Sequence, residues 1–232
     1  MNRICNIIII ALLALATSFT DAQAQQLAFP GADGYAKHIT GGRGGKVYYV
    51  TSLDDCSNDN LVPGTLRWAL RTGDNTPRTI LFAVNGTIYL ESKLKTNHDN
   101  VSILGQSAPG GGICITGYPV NITNRNYIIR YIRFRAGEVP ALESDGNVSF
   151  SALGIENAAE ILLDHCSVTW SMEECLTMFD NEVTTVQHCI IGEGLYHSYN
   201  VKTSSESSGR GFAMQWGGEK SNMHHVLITN CN

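Results

Sequence analysis

Apolar and polar residues alternate in short runs along this chain, and the runs recur. "NVSILGQ" begins at Asn100, "NYIIRYIRFR" at Asn126, "EILLDHCSVTW" at Glu160, "VTTVQHCIIGEG" at Val183 and "MHHVLITN" at Met223. A period of two marks a strand with one apolar face. In the stretch "DHCSVTWSMEE" the residues Cys166, Val168, Trp170 and Met172 fall at every second position and predict such a face. The starts of the runs lie 26, 34, 23 and 40 residues apart. The shortest step suits one turn of a coil, and the longer ones a turn plus an inserted loop. "DHCSV", "QHCII" and "HHVLI" share a layout that aligns His165, His188 and His225. A single rung of this kind cannot bury its apolar side, whereas a stack of rungs buries a continuous core. The pattern predicts an all-β chain, a solenoid wound as a parallel β-helix.

Two other β architectures fit less well. A sandwich calls for tight Asn-Gly or Asp-Gly hairpins at regular intervals, and Asn85-Gly86, Asp33-Gly34 and Asp145-Gly146 are not regularly spaced. A propeller calls for four strands per repeat of about 40 residues, and no such blade signature is present. Helix has little room: "PGTLRWALR" (Pro63 to Arg71) is the best candidate, about two turns long. The 23 glycines agree with many turns.

The first residues read as a leader. Arg3 is followed by the apolar run Ile7 to Ala16 and by "AQA" at Ala22 to Ala24, the layout of a secretory signal peptide. The run is too short for a membrane span, which needs about 20 residues. Residues 1–24 are thus expected to be removed and 25–232 to form one exported β-helix domain, a monomer with no membrane or nucleic-acid partner. The formal net charge of −5 agrees, since nucleic acid calls for a basic face. Six cysteines follow the leader: Cys56, Cys114, Cys166, Cys175, Cys189 and Cys231. Cys114, Cys166 and Cys189 sit in apolar strand-like runs, where free cysteine packs as a small hydrophobe. Cys166 and Cys189 are expected to be neighbouring thiols inside the coil. No CxxC pair or His/Cys cluster suggests zinc.

Several blocks, taken in order, resemble a known family. They are "AFPGADGYAKHITGGRGGKVYYVTSL" (Ala28 to Leu53), "PGTLRWAL", "RTILFAVNGTI", "ILGQSAPGGGICI", "IIRYIRFR" and "ILLDHCSVTWSMEE". Together they resemble the secreted bacterial pectate lyases of polysaccharide lyase family 1, the group labelled pectate trisaccharide-lyase, from Ala28 to the last residue. The resemblance implies a right-handed parallel β-helix and calcium-dependent cleavage of polygalacturonate, the backbone of pectin, by β-elimination. Such a substrate carries a carboxylate on every sugar. Removing the C5 proton beside it builds negative charge that needs stabilising. Calcium, with its preference for carboxylate oxygen, is suited to that task.

The resemblance assigns candidate residues, each with a plainer alternative. Asp164 and His165 match the family's acid–histidine pair, Asp164 as a calcium ligand and His165 as a substrate contact. The alternative is a side-chain ladder between coils, with His165 stacked on His188. Glu173 and Glu174 match the acidic pair that ends this block and are expected at calcium; the alternative is a solvated turn. Relatives carry an aspartate where this chain has Ser151, so Asp145, in an Asp-Gly turn, is the substitute candidate ligand. In "VKTSSESSGRGFAMQWGG", Lys202 matches a lysine that meets a substrate carboxylate, and Arg210 sits near the rim of the same loop; both also read as solvated loop charges. Trp216 is expected to pack over the coil rather than stack on a sugar. Arg130, Arg133 and Arg135 read as an outward charged ladder.

Relatives follow the strand matching "MHHVLIT" with an arginine-containing "RxPR"-like segment that supplies the base at C5. This chain reads "NCN" there, Asn230 to Asn232. The family's catalytic arginine is therefore expected after Asn232. The 232 residues are expected to be an N-terminal portion of a lyase, with little turnover alone and Arg210 as a weak stand-in for the base. Two other functions remain open: a β-helix polygalacturonase, which would need clustered carboxylates for acid–base work, and a non-catalytic pectin-binding remnant.

Overall fold

The computed structural model describes residues 25–144, 149–199 and 211–219. Strand β1 (Lys46–Val50) opens the stack, followed by α1 (Leu66–Arg71). Five coils of three strands each come next. They are β2 (Arg78–Phe82), β3 (Gly86–Tyr89) and β4 (Leu94–Lys95), then β5 (Val101–Leu104), β6 (Ile113–Thr116) and β7 (Val120–Ile122). The third coil holds β8 (Arg125–Arg130), β9 (Ile132–Arg135), the short helix α2 (Val139–Glu143) and β10 (Leu153–Glu156). The fourth holds β11 (Ala159–Asp164), β12 (Ser167–Thr169) and β13 (Leu176–Phe179), and the fifth β14 (Glu182–Gln187), β15 (Ile190–Gly192) and β16 (Met214–Gly217).

Each coil gives one strand to each of three parallel sheets. The first sheet runs β1-β2-β5-β8-β11-β14, the second β3-β6-β9-β12-β15, and the third β4-β7-β10-β13-β16. The chain is a right-handed parallel β-helix. The runs that begin at Asn100, Asn126, Glu160 and Val183 hold β5, β8, β11 and β14 of the first sheet, and the run at Met223 lies outside the described residues. Val101 pairs with Tyr127, Tyr127 with Ile161 and Ile161 with Thr184. Those steps reproduce the spacings of the run starts, so a one-residue slip would turn the apolar set outward. Ile80, Ile103, Ile129 and Leu163 from the first sheet meet Ile88, Ile115, Phe134 and Val168 from the second and Leu94, Val120, Leu153 and Leu176 from the third in one core.

The corner between the first and second sheets is tight. In the third, fourth and fifth coils it turns on one left-handed residue: Tyr131, His165 and His188, at φ 57, 52 and 52°. A side chain in this conformation costs roughly 1–2 kcal/mol. Pairing of Arg130 with Asp164 and of Asp164 with Gln187 fixes the level of all three, so the aromatic rings stack. A second left-handed ladder opens the first-sheet strands at Asn100, Asn126, Glu160 and Val183. There Asn126 Nδ2 donates to Asn100 Oδ1 at 2.8 Å.

The outer face of the first sheet is covered by the segment before β1. Ala32, Ala36 and Ile39 form a small second core with Ile128 and Leu162, and Phe29 packs against it. Polar side chains of the sheet pin the same segment. Thr185 Oγ1 accepts from Ala36 N–H, Asn126 Oδ1 from Gly41 N–H and Ser102 Oγ from Gly42 N–H. Gly42 cannot be larger: a Cβ there would lie 1.9 Å from the Arg78 carbonyl oxygen. At the start of the stack α1 buries Leu66, Ala69 and Leu70 in the main core, and Thr65 caps it by accepting from Trp68 N–H. The Arg67 guanidinium is fully buried against Asp55 at 2.6 Å and also donates to the Ser92 and Lys93 carbonyls.

One expectation needs correction here. The run from Cys166 to Met172 is not one strand: β12 ends at Thr169, and Trp170 is a left-handed corner residue with 56% exposure. The helix is six residues within the expected Pro63–Arg71. The leader at 1–24, His225 and Cys231 lie outside the described residues, as does Asn232, after which the family's arginine was expected. No helix among the described residues is long and apolar enough to cross a membrane.

Candidate functional site

In the third, fourth and fifth coils the corner between the second and third sheets carries inserted connections. The chain leaves β9 at Arg135 and enters β10 at Leu153; it leaves β12 at Thr169 and enters β13 at Leu176; it leaves β15 at Gly192 and enters β16 at Met214. Glu173 and Glu174 lie in the second of these connections. Asp145 falls within the first, and Lys202 and Arg210 within the third, but all three are outside the described residues. The same holds for the chain end at Asn232, so the expectation of a catalytic arginine beyond it has no counterpart among the described residues. Long loops above a rigid stack are the usual place for binding and catalytic groups.

Ser151 and Glu174 meet at the entry to the third sheet. Ser151 Oγ donates to Glu174 Oε2 at 3.4 Å and lies 2.5 Å from Thr177 Oγ1. Thr177 points outward from β13, since its neighbours Leu176 and Met178 are in the core. It stands in register with Gly154 and, one coil earlier, with Asn121. Gly154 is buried beneath the Asn121 side chain: a Cβ there would lie 2.8 Å from Asn121 Nδ2 and 3.6 Å from Glu156 Oε1. The column is extended by exposed Lys95 below and exposed Gln215 above. The face thus offers carboxylate, hydroxyl and amide oxygens close together.

Asp164 does not join it. The side chain is outward on the first sheet, 0% exposed, and lies at the other corner of the coil. Its Oδ2 accepts from Arg130 Nε at 2.7 Å; its Oδ1 accepts from Gln187 Nε2 at 2.8 Å and lies 2.9 Å from His165 Nδ1. Burial alone would raise this carboxyl, but the bonds from Gln187, His165 and Arg130 outweigh it and hold it below the usual carboxylate range. Gln187 continues the network, donating to Gly31 O and accepting from Asp33 N–H. The acid of the "DH" pair fastens the segment before β1, with Arg130, Gln187 and His165 on its two oxygens.

His165 takes the ladder arrangement. Its ring stacks on Tyr131 at 4.7 Å and 15°, and on His188 at 4.8 Å and 36°. Cys166 and Cys189 are neighbouring free thiols beneath this corner, with Cys166 N–H donating to Cys189 Sγ at 3.4 Å. Trp216 packs against the main core. Arg130 points to the covered face of the first sheet and stacks on Phe29. Arg133 and Arg135 point outward from the second sheet, and Arg135 is held by Ser167 O and Oγ.

Does this donor set fit calcium? The carboxylate of Glu174 and the hydroxyls of Ser151 and Thr177 are hard-oxygen chemistry of the right type. Among the described residues, however, no three His, Cys, Asp or Glu side chains gather into a metal-holding group. The sequence reading missed Asn121, Gly154, Glu156 and Thr177. Their signal was the alternation itself: each lies at an outward position of a third-sheet strand.

No family model matches the chain, but individual proteins do. A probable pectate lyase C of Aspergillus fumigatus is 37% identical over 186 residues, 79% of this chain and 41% of that protein. Its counterpart in Emericella nidulans is 39% identical over 189 residues, 81% of this chain and 40% of that protein. Pectate lyase 3 of Ambrosia artemisiifolia is 31% identical over 179 residues, 71% of this chain and 44% of its own length. The crystal structure of jun a 1, the major allergen from cedar pollen, superposes with a TM-score of 0.52 at 24% identity, covering 66% of this chain and 46% of that one; this likeness shows the fold. The chain is homologous to pectate lyases of fungi and plants and spans about two-fifths of the length of the relatives it matches.

Proposed function

We propose that this chain carries the substrate face of a secreted pectate lyase of polysaccharide lyase family 1, cleaving polygalacturonate by β-elimination. The observation that carries the reading is the homology with the two fungal pectate lyases, which extends over about four-fifths of this chain. The third-sheet face is the proposed site, because the long connections enter there and Ser151, Glu174 and Thr177 converge there.

The chemistry sets what that face must do. In elimination a base takes the C5 proton, the C4–O bond breaks, a C4=C5 double bond forms, and the departing oxygen takes up a proton. A protein of net charge −5 must reverse its own field locally to hold a polyanion. Lys95 is exposed on the column in register with Asn121, and Lys202 and Arg210 are the proposed partners of substrate carboxylates from the loop before β16. Glu173 and Glu174, with Ser151, Thr177 and Asp145, are the residues that would hold calcium. When bound, the ion supplies the charge neutralisation that makes the C5 proton more acidic. Asn121 and Gln215 offer amide hydrogen bonds to sugar hydroxyls. No described residue is assigned as the base.

The test is calcium titration by calorimetry of the parent and of Glu174→Gln. Weaker calcium binding in the variant supports the site. Equal binding in both proteins overturns the role of Glu174. Saturated fragments from the parent, formed without calcium, would instead favour a polygalacturonase.

A further inference from the structure

A second groove runs along the tight corner between the first and second sheets, on a different flank of the coil from the third-sheet face. The loop carrying Gly105–Gly112 forms one wall, and Tyr131, Arg133, His165, His188 and Ile190 line the rest. The lining contains one arginine and two imidazoles and no aspartate or glutamate. In a chain of net charge −5 that composition stands out. The nearest acid, Asp164, is fully buried and its oxygens are engaged by Arg130, Gln187 and His165. It therefore adds little repulsion at the groove.

The groove also has a repeat. Tyr131, His165 and His188 place one ring per coil, 4.7 and 4.8 Å apart. Arg133 is exposed, and its one hydrogen bond on this wall, NH1 to Gly111 O at 2.6 Å, aims the guanidinium along it. Arginine has five N–H donors in a planar fork suited to carboxylate. Gly110 and Gly112 are left-handed, at φ 54 and 75°, and nothing lies within 4 Å of a Cβ built on Gly111, so the wall is open to a ligand. Ile190, 71% exposed, and Tyr131 supply apolar contact for a sugar ring.

We infer that this groove is an auxiliary binding site for an acidic polysaccharide, a uronate chain lying along the coil axis with carboxylates toward Arg133 and the imidazoles. The choice of uronate rests on the reading proposed above; the groove's preference for an anionic chain rests on its own lining. Such a site would hold the polymer to the protein while the third-sheet face works on it.

The test is binding of a saturated oligogalacturonate in the presence of a chelator, read by chemical-shift perturbation and calorimetry on the whole protein. Shifts should fall at Gly110–Gly112, Arg133 and His165. Arg133→Ala should weaken binding about tenfold or more, as loss of a charge-assisted bond does, and added salt should weaken it further. Arg133 also holds Gly111, so Ile190→Asp supplies an independent check: it places an acid on an exposed rim and should weaken binding too. Glu174→Gln should leave this binding unchanged. Binding that survives both groove variants, or a neutral galactose oligomer that binds equally well, overturns the proposal. So does the absence of binding. Product formation does not enter the readout, so failure here leaves the lyase reading intact, and failure of the lyase reading leaves this binding to be judged by its own variants.

Discussion

The Arg130 guanidinium lies 3.6 Å from the centre of the Phe29 ring while its Nε donates to Asp164 at 2.7 Å. One side chain thus joins the third coil, the fourth coil and the segment before β1. Arg130→Ala leaves the Asp164 carboxylate buried and short of its guanidinium partner. Breaking a buried pair by removing one member costs roughly 3–5 kcal/mol. Hydrogen exchange should show residues 28–40 losing protection well before the coil core does. Uniform loss across both would mean that the segment is not separately fastened.

The same carboxylate predicts an acid response. The folded-state pKa of Asp164 is depressed, so its stabilising contribution is complete above the ordinary carboxylate value of about 3.9 and is lost as pH falls below it. The parent should lose stability through that window more steeply than Asp164→Asn, measured by denaturant midpoint against pH. Parallel curves would remove Asp164 as the source of the acid response.

Gly154 separates the binding face from the fold. An added Cβ meets the end of the Asn121 side chain, which can swing aside, rather than backbone. Gly154→Ala should shift the melting temperature by only a few degrees, about 1 kcal/mol or less, yet weaken calcium or polygalacturonate binding because the Asn121 amide is displaced. By contrast Gly42→Ala drives a Cβ into the Arg78 carbonyl and should destabilise strongly with no selective effect on binding. If Gly154→Ala binds as the parent does, the Asn121 amide is not part of the site.

The cysteines offer a chemical check. Cys56, Cys114, Cys166, Cys175 and Cys189 are all free. Burial pushes the Cys166 thiol up, while its hydrogen bond lowers that of Cys189. Alkylation without reductant should label all five after unfolding, with Cys166 protected in the native state. Recovery of a disulfide-linked Cys166–Cys189 peptide would show that the stacked pair oxidises.

Much of the fold was legible because the coil leaves its pitch in the sequence. The steps between Val101, Tyr127, Ile161 and Thr184 are register, and register is what the repeated runs encode. The fate of "DHCSVTWSMEE" was not legible. Alternation continues through Trp170, but a single left-handed residue turns the corner, and nothing in the local pattern distinguishes a turn from a strand residue there. The setting of Asp164 was not legible for a related reason: its partners Arg130 and Gln187 come from two other coils, and the Phe29 that covers Arg130 comes from the segment before β1. The acid–serine contact at the third sheet was half legible. Ser151 was noted as a position where relatives carry an acid, but its neighbour Thr177 lies one coil on, and its outward direction follows from β13 being in register with β10.

Elimination on polygalacturonate is the central claim. Mass analysis of the fragments released by the full-length gene product tests it most directly, with calcium in one reaction and a chelator in the other. Elimination predicts new non-reducing ends with a C4=C5 double bond, each such fragment lighter by one water than its hydrolytic counterpart, and formed only with calcium. Fragments of full hydrolytic mass, released equally with and without calcium, would contradict it.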